Sequence, residues 1–238
     1  MLAKILRQLR RIRNELITYP DFVESNLSYD DYWKEVIGKD FDKIGPFQRK
    51  RAHFVMKHSS ATDSLMDLGC GNGAVIREIN KFRKPKMYAV DCSNYVLSKL
   101  SSDNIETIFM DLNDKDIFEK LPVADHILLL EVLEHLPHPE NFLRAAVKHT
   151  GKSVFFSFPN TGYITHRARL LMGKFPMQWV THPGEHLRFW TLTDLKWWLK
   201  QLNFYERSTI HTYEGWPVLN KIWPSLFARS MIVRVTKS

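Results

Sequence analysis

The sequence predicts an α/β fold: a seven-stranded, mostly parallel sheet with helices on both faces, an N-terminal helical extension, and an insertion after the fifth strand. Three observations carry this expectation. From Ser64 onward, short apolar runs alternate with longer stretches of helical periodicity, the pattern of βαβ units. The first apolar run passes directly into a glycine-rich turn, Asp67-Leu68-Gly69-Cys70-Gly71-Asn72-Gly73, which opens a helix. The second and third runs end on Asp91 and Asp111, so acidic groups gather at the same edge of the sheet as the glycines.

The elements follow in chain order. Residues 1–45 read as an extension in two parts. Leu2, Ile5, Leu6, Leu9, Ile12 and Leu16 recur at helical spacing, and Lys4, Arg7, Arg10, Arg11 and Arg13 fall mostly on the opposite side. This basic amphipathic helix has two readings: peripheral contact of residues 1–17 with an anionic membrane or a partner, or a cover for the protein's own core. An aromatic and acidic segment follows, containing Tyr29-Asp30-Asp31-Tyr32-Trp33, and reads as a short helix and loop. The main domain spans residues 46–238 and opens with a helix over 46–58 that Pro46 starts. Strands are expected at 64–69, 86–91, 105–110, 125–131, 153–158, 204–212 and 229–236, with helices near 74–83, 93–101, 139–149 and 193–202. Residues 159–190 break the alternation with a helix-like stretch and a loop punctuated by Pro and Gly. Aromatic residues there (Phe175, Trp179, Phe189, Trp190) argue against disorder and for a substrate lid.

Composition narrows the class. The 44% hydrophobic and 25% charged residues are those of an ordinary soluble globular protein. No apolar run approaches the roughly 20 residues of a membrane-spanning helix, and no secretory signal is evident. With Cys70 and Cys92 as the only cysteines, a reducing, cytoplasmic setting is expected. The net charge of +8 comes without an appended RNA-binding module, so nucleic acid is not the expected partner.

The glycine turn is the strongest signal. Glycines admit positive φ and leave no side chain between backbone and ligand. Asp91 can bind both hydroxyls of a ribose, and Asp111 can accept the amino group of an adenine. The spacing is not G-x-G-x-x-G and no phosphate-binding basic residue follows, so a dinucleotide fits less well. These residues resemble the class I S-adenosylmethionine-dependent methyltransferases, a Rossmann-like superfamily. The resemblance implies that Asp67, Gly69 and Gly71 form the cofactor turn against the methionine part of S-adenosylmethionine. It further implies that Asp91 binds the ribose, that Asp111 and Leu112 frame the adenine, and that Leu130 completes the pocket. Arg51 is the basic residue expected to reach the cofactor carboxylate, with Arg49 as its rival.

The fourth strand runs into Glu131-Val132-Leu133-Glu134-His135, where side chains face the transferable methyl group. There is no Asp/Asn-Pro-Pro-Tyr tetrapeptide of the kind that methylates base or glutamine amino groups. Glu131, Glu134 and His135 instead suit deprotonation of a hydroxyl, with His135 as base. The Glu-x-x-Glu-His pattern also resembles that of small-RNA 2′-O-methyltransferases and ubiquinone-pathway O-methyltransferases. That likeness implies a divalent metal held by Glu131, Glu134, His135 and a later histidine, His186, a donor set suited to Zn²⁺, Fe²⁺ or Mn²⁺. The metal-free alternative leaves Glu134 and His135 to cap a helix or bind substrate.

The last third, from Ser157-Phe158-Pro159-Asn160 through His186 to Trp223-Pro224-Ser225-Leu226-Phe227, resembles the MetW-like methyltransferases of methionine biosynthesis. Retention of Glu131, Glu134 and His135 departs from that pattern and favours a working enzyme. The expected function is O-methylation of a hydroxyl on a small-molecule, sugar or lipid-linked acceptor, with Arg167, Arg169, Trp179 and His186 as acceptor-pocket candidates. The alternatives are an accessory subunit of a homoserine acyltransferase and an RNA methyltransferase.

Overall fold

Seven strands form one sheet: β1 (Leu65–Leu68), β2 (Met87–Asp91), β3 (Ile105–Phe109), β4 (His126–Leu130), β5 (Ser153–Pro159), β6 (Ser208–Gly215) and β7 (Ala228–Thr236). Their spatial order is β3-β2-β1-β4-β5-β7-β6. The structure is a computed structural model that describes residues 12–19, 28–36, 40–101, 104–178 and 185–238. Strands β1 to β5 are parallel to one another, and β7 runs antiparallel to both β5 and β6. The strand order reverses between β1 and β4. Such a switch point opens a crevice beyond the carboxyl ends of the strands.

The central strands are largely apolar because helices cover both faces. Alternate residues feed two cores. Met66, Leu68, Ile127, Leu129, Val154 and Phe156 pack on one side with the helices Pro139–His149 and Leu192–Gln201. Leu65, Met87, Ala89, Leu128 and Phe155 face the helices Pro46–Lys57, Ala74–Asn80 and Asn94–Leu100. The seven-stranded, mostly parallel architecture expected from the sequence is the one observed.

Several boundaries differ from the pattern reading, most of the strand ends by one residue. Strand β6 begins at Ser208, not near 204. Asn203 takes a left-handed φ of 61°, and Phe204 N–H donates back to Leu199 O (2.8 Å), which closes the preceding helix. Phe204 is drawn into the core, and Tyr205–Arg207 forms a 3-10 turn before the strand can start. The helix before it begins at Leu192, held by a capping box in which Thr191 and Asp194 satisfy each other's backbone N–H.

The insertion leaves and returns at one point, because Asn160 and Trp190 form a backbone bridge. Its helix, Ile164–Leu171, carries Arg169, which is fully buried. Arg169 Nε donates to Phe175 O (2.9 Å), and Nη1 donates to the carbonyls of Glu15 (2.9 Å) and Leu16 (3.2 Å). Residues 12–17 are helical, so these are orphan carbonyls at a helix C-terminus, capped by a cation. Glu15 also pairs with Arg229 on β7. The carboxyl end of the first helix is therefore docked on the domain; residues 1–11, which hold most of its basic face, lie outside the described residues. Arg169→Ala strands several buried acceptors at once and is expected to cost about 3 kcal/mol, a melting-point loss of roughly 6–12 °C. A calorimetric scan showing an unchanged melting point would refute this role.

Candidate active site

Gly69, Gly71 and Gly73 follow β1 with φ of 70°, 51° and 62°, a path closed to most side chains. A Cβ on Gly71 would stand 2.6 Å from the Trp33 ring, and one on Gly69 would stand 2.9 Å from Val132 and 3.4 Å from Leu112. Trp33 belongs to the helix Tyr29–Val36, which lies over the turn. Asp30 on that helix fixes its position by accepting from Ser93 Oγ (2.6 Å) and Tyr95 N–H (3.1 Å). Asp91 is buried and accepts from the backbone N–H of Gly71 (2.9 Å) and Ser93 (3.0 Å). Burial raises its pKa, and those backbone donors oppose the rise. The pKa of Tyr29, on the same helix as Trp33, is raised by partial desolvation and by the nearby acidic groups of Cys92, Asp91 and Asp111. Asp111 is exposed, with one carboxylate oxygen receiving Asn113 N–H (2.8 Å) and its amide (3.0 Å).

This constellation fits an adenosyl cofactor. It offers a bare backbone turn, a buried acid beside it, an exposed acid at the next strand end, and a half-buried Leu112 between them. The Trp33 indole N–H is buried without a hydrogen-bond partner among the described residues.

Asp67 lies inside β1, and burial together with the charge of Asp91 lifts its pKa from 3.8 to about 8. A carboxyl raised in this way adds stability below its unfolded pKa that is lost as pH climbs to the folded value. Asp67→Asn, neutral throughout, is therefore expected to gain on the parent by roughly 3 kcal/mol between pH 5 and pH 8. Urea unfolding across that range tests it, and a difference that stays flat refutes it.

At the tip of β4, beyond the half-buried Leu130, Glu131 adopts a left-handed φ of 60°. Its Oε1 is held by Ser157 Oγ (2.8 Å) and by Arg51 Nη2 (2.8 Å). Arg51 Nε donates to the Tyr213 hydroxyl (2.6 Å). Burial disfavours the Arg51 charge, but Glu131 and Tyr213 more than compensate and raise its pKa. In this arrangement Arg51 braces the β4 tip, while Arg49 sits 3.8 Å from Glu78 and is exposed.

The 3-10 turn Leu133–His135 carries the next groups. Glu134 is buried, and neither of its carboxylate oxygens has a partner among the described residues. Burial and the nearby Glu131 push its pKa well above the carboxylate range. His135 Nδ1 meets the carbonyl of Glu185. A carbonyl only accepts, so Nδ1 carries the proton and Nε2 presents a lone pair in the neutral ring. The returning arm of the insertion is pinned here, because the N–H groups of Leu187 (2.8 Å) and Arg188 (3.1 Å) both donate to Glu134 O. That anchoring sets His186 edge-on to His135 with ring centroids 4.7 Å apart. Burial, then the proximity of His135, depress the His186 pKa to about 4, so its imidazole is neutral at pH 7.

Potential ligand atoms of Glu134, His135 and His186 all lie within 4.8 Å of one another. The structure thus gathers three of the four residues expected to hold a metal, while Glu131 is engaged by Arg51 and Ser157. Of the acceptor-pocket candidates, Arg169 is a structural clamp and Arg167 Nε is bound to Gly162 O (2.7 Å). This corrects the expectation for Arg169, whose guanidinium is buried against backbone carbonyls of the insertion and the first helix; Arg167 remains exposed. Trp179 lies outside the described residues. Trp33, Ser157 and Tyr213 were missed by motif reading; the aromatic cluster around Trp33 was the one available signal.

The sequence matches the methyltransferase domain family over residues 29–208. It is 26% identical to the bifunctional methionine biosynthesis protein MetXA/MetW of Rhodopirellula baltica, over 82% of this chain and 37% of that protein. It is 28% identical to a ubiquinone biosynthesis O-methyltransferase of Chromobacterium violaceum, over 57% of this chain and 60% of that one. The chain therefore spans less than two thirds of the length of either relative. Among solved structures, a SAM-dependent methyltransferase from Archaeoglobus fulgidus superposes with a TM-score of 0.62 at 15% identity, covering 88% of this chain and all of that one. With the glycine turn, the strand-tip acids and a match over most of its length, the chain belongs to the methyltransferase domain family, within the class I S-adenosylmethionine-dependent superfamily.

Proposed function

We propose that the protein transfers a methyl group from S-adenosylmethionine to a hydroxyl oxygen of a small-molecule, sugar or lipid-linked acceptor. The observation that carries this reading is the cluster of Glu134, His135 and His186 at the β4 tip, one strand away from the glycine turn. S-adenosylmethionine supplies an electrophilic methyl on a sulfonium. The residues around it must align the acceptor and raise its nucleophilicity. His135 Nε2, with Nδ1 anchored on Glu185, takes the hydroxyl proton as the oxygen–methyl bond forms and the sulfur–methyl bond breaks. The helix Tyr29–Val36 covers the turn and excludes water from it.

A second version is favoured by the unpartnered buried carboxylate of Glu134, which a cation would satisfy. Glu134, His135 and His186 would then hold a divalent ion that acidifies the hydroxyl directly. Two imidazoles suit Zn²⁺, Fe²⁺ or Mn²⁺ better than Mg²⁺.

Incubation with methyl-labelled S-adenosylmethionine and pools of hydroxylated acceptors, followed by mass spectrometry, tests the reading. A label on an acceptor oxygen supports it. A rate unchanged by EDTA in metal-free protein removes the cation but leaves His135 as base. Absence of heat on titration with S-adenosylmethionine and its demethylated product removes the enzyme altogether. Cofactor binding without turnover unless a homoserine acyltransferase is present would point to the accessory role suggested by the MetXA/MetW relative.

A further inference from the structure

We infer that the outer surface of the insertion, together with the end of the first helix, is a docking face for an anionic lipid bilayer. Six large apolar side chains are exposed along it: Ile17, Tyr19, Leu171, Met172, Phe175 and Phe189. Leu171 is 90% exposed and Phe175 62%. Single exposed apolar residues are common on any protein, but a connected group rimmed by polar residues marks an interaction site.

These residues are connected. Tyr19 lies under the Arg169 guanidinium (4.7 Å) and within 5.9 Å of Lys174 Nζ. Arg169 Nε donates to Phe175 O, and the Phe175 ring packs edge-on against Phe189 at 5.4 Å. Phe189 in turn lies 6.3 Å from the His186 ring. Leu171 and Met172 are thrust outward where the helix Ile164–Leu171 stops at Gly173, which is left-handed with φ of 71°. The Arg169 clamp fixes the two contributing segments to each other, so the apolar face is preformed.

Charge selects the occupant. The first acidic residue of the chain is Glu15, there is none between Glu140 and Glu185, and none follows Glu214. Glu15 is paired with Arg229. Residues 141–184 hold no acidic residue; Asp21 and Glu24 follow Tyr19 but lie outside the described residues, and Glu185 opens the returning arm. Among the described residues, Arg13 and Arg167 are exposed and Lys174 is half-buried beside Tyr19. Exposed apolar side chains accompanied by these cations match the acyl boundary and the anionic headgroups of a bilayer.

Ring contacts lead from Phe175 through Phe189 to His186, and on the methyltransferase reading this bears on the acceptor. An amphipathic acceptor could present its hydroxyl to Glu134, His135 and His186 and lay its apolar tail along Phe189 and Phe175 toward the lipid.

Sedimentation of the full chain with vesicles tests the docking face. Phosphatidylcholine vesicles are compared with vesicles of phosphatidylcholine and phosphatidylglycerol, using wild type and the double variant Leu171→Glu/Phe175→Glu. Both positions are exposed, so the variant is expected to melt as the parent does. The proposal expects wild type to pellet with the anionic vesicles and the variant to partition about tenfold less. Wild type remaining in the supernatant overturns it. So does a variant that pellets equally, which would assign binding to the basic first helix alone. A wild-type dimer that the variant breaks, without vesicle binding, would make the face a protein interface instead. No cofactor enters the assay, and titration with S-adenosylhomocysteine is independent of it, so failure of the docking face and failure of the methyltransferase reading are told apart.

Discussion

Gly71→Ala is expected to weaken binding of S-adenosylhomocysteine by about 100-fold or more, as read by titration calorimetry. Two separate costs produce the loss. The backbone holds φ at 51°, where a Cβ costs roughly 1–2 kcal/mol. The added methyl would also stand 2.6 Å from the Trp33 ring, so either the turn or the covering helix must shift. A 100-fold loss corresponds to about 2.7 kcal/mol, within reach of these effects together. The double variant Gly71→Ala/Trp33→Ala separates them, because it removes the collision and keeps the backbone cost. Partial recovery is expected. Parental affinity in Gly71→Ala alone would show that the cofactor does not lie against this turn.

Turnover carries the second large effect. His135→Ala and Glu134→Ala are each expected to lower kcat by about 10³, the range usual for loss of a positioned acid–base group, with affinity for S-adenosylhomocysteine changed less than about threefold. Both residues sit on the 3-10 turn after β4 rather than on the glycine turn after β1, so binding and chemistry are expected to separate. Glu134→Gln is the sharper probe, since it preserves shape and cannot become an anion. If Glu134 acts as a carboxylate, that variant loses rate like the alanine one. A fully active Glu134→Gln would reduce Glu134 to packing.

The fold was legible because parallel strands covered on both faces read as unbroken apolar runs. Ile127-Leu128-Leu129-Leu130 and Val154-Phe155-Phe156 leave little room for another assignment. The glycine turn and the strand-tip acids were legible for a similar reason: each belongs to a local pattern whose place in the topology is fixed. What escaped was long-range. Trp33 covers Gly71 across 38 positions, and Arg51 meets Tyr213 across 162, and no periodicity joins such pairs. Arg169 shows the complementary error. An arginine in a loop-rich insertion suggests an anion ligand, whereas its burial against the carbonyls of Glu15 and Leu16 emerges from packing alone. The β6 boundary failed locally, since the left-handed turn at Asn203 resembles an ordinary strand entrance in one dimension.

Glu131 sits at a bend that proteins usually give to glycine or asparagine. Glycine there would relieve roughly 1–2 kcal/mol of backbone strain. It would also leave the buried Arg51 guanidinium without its carboxylate, a loss of about 3–5 kcal/mol. A screen for heat tolerance run on this one codon is therefore expected to keep glutamate, because the ion pair behind the corner outweighs the discomfort of the bend.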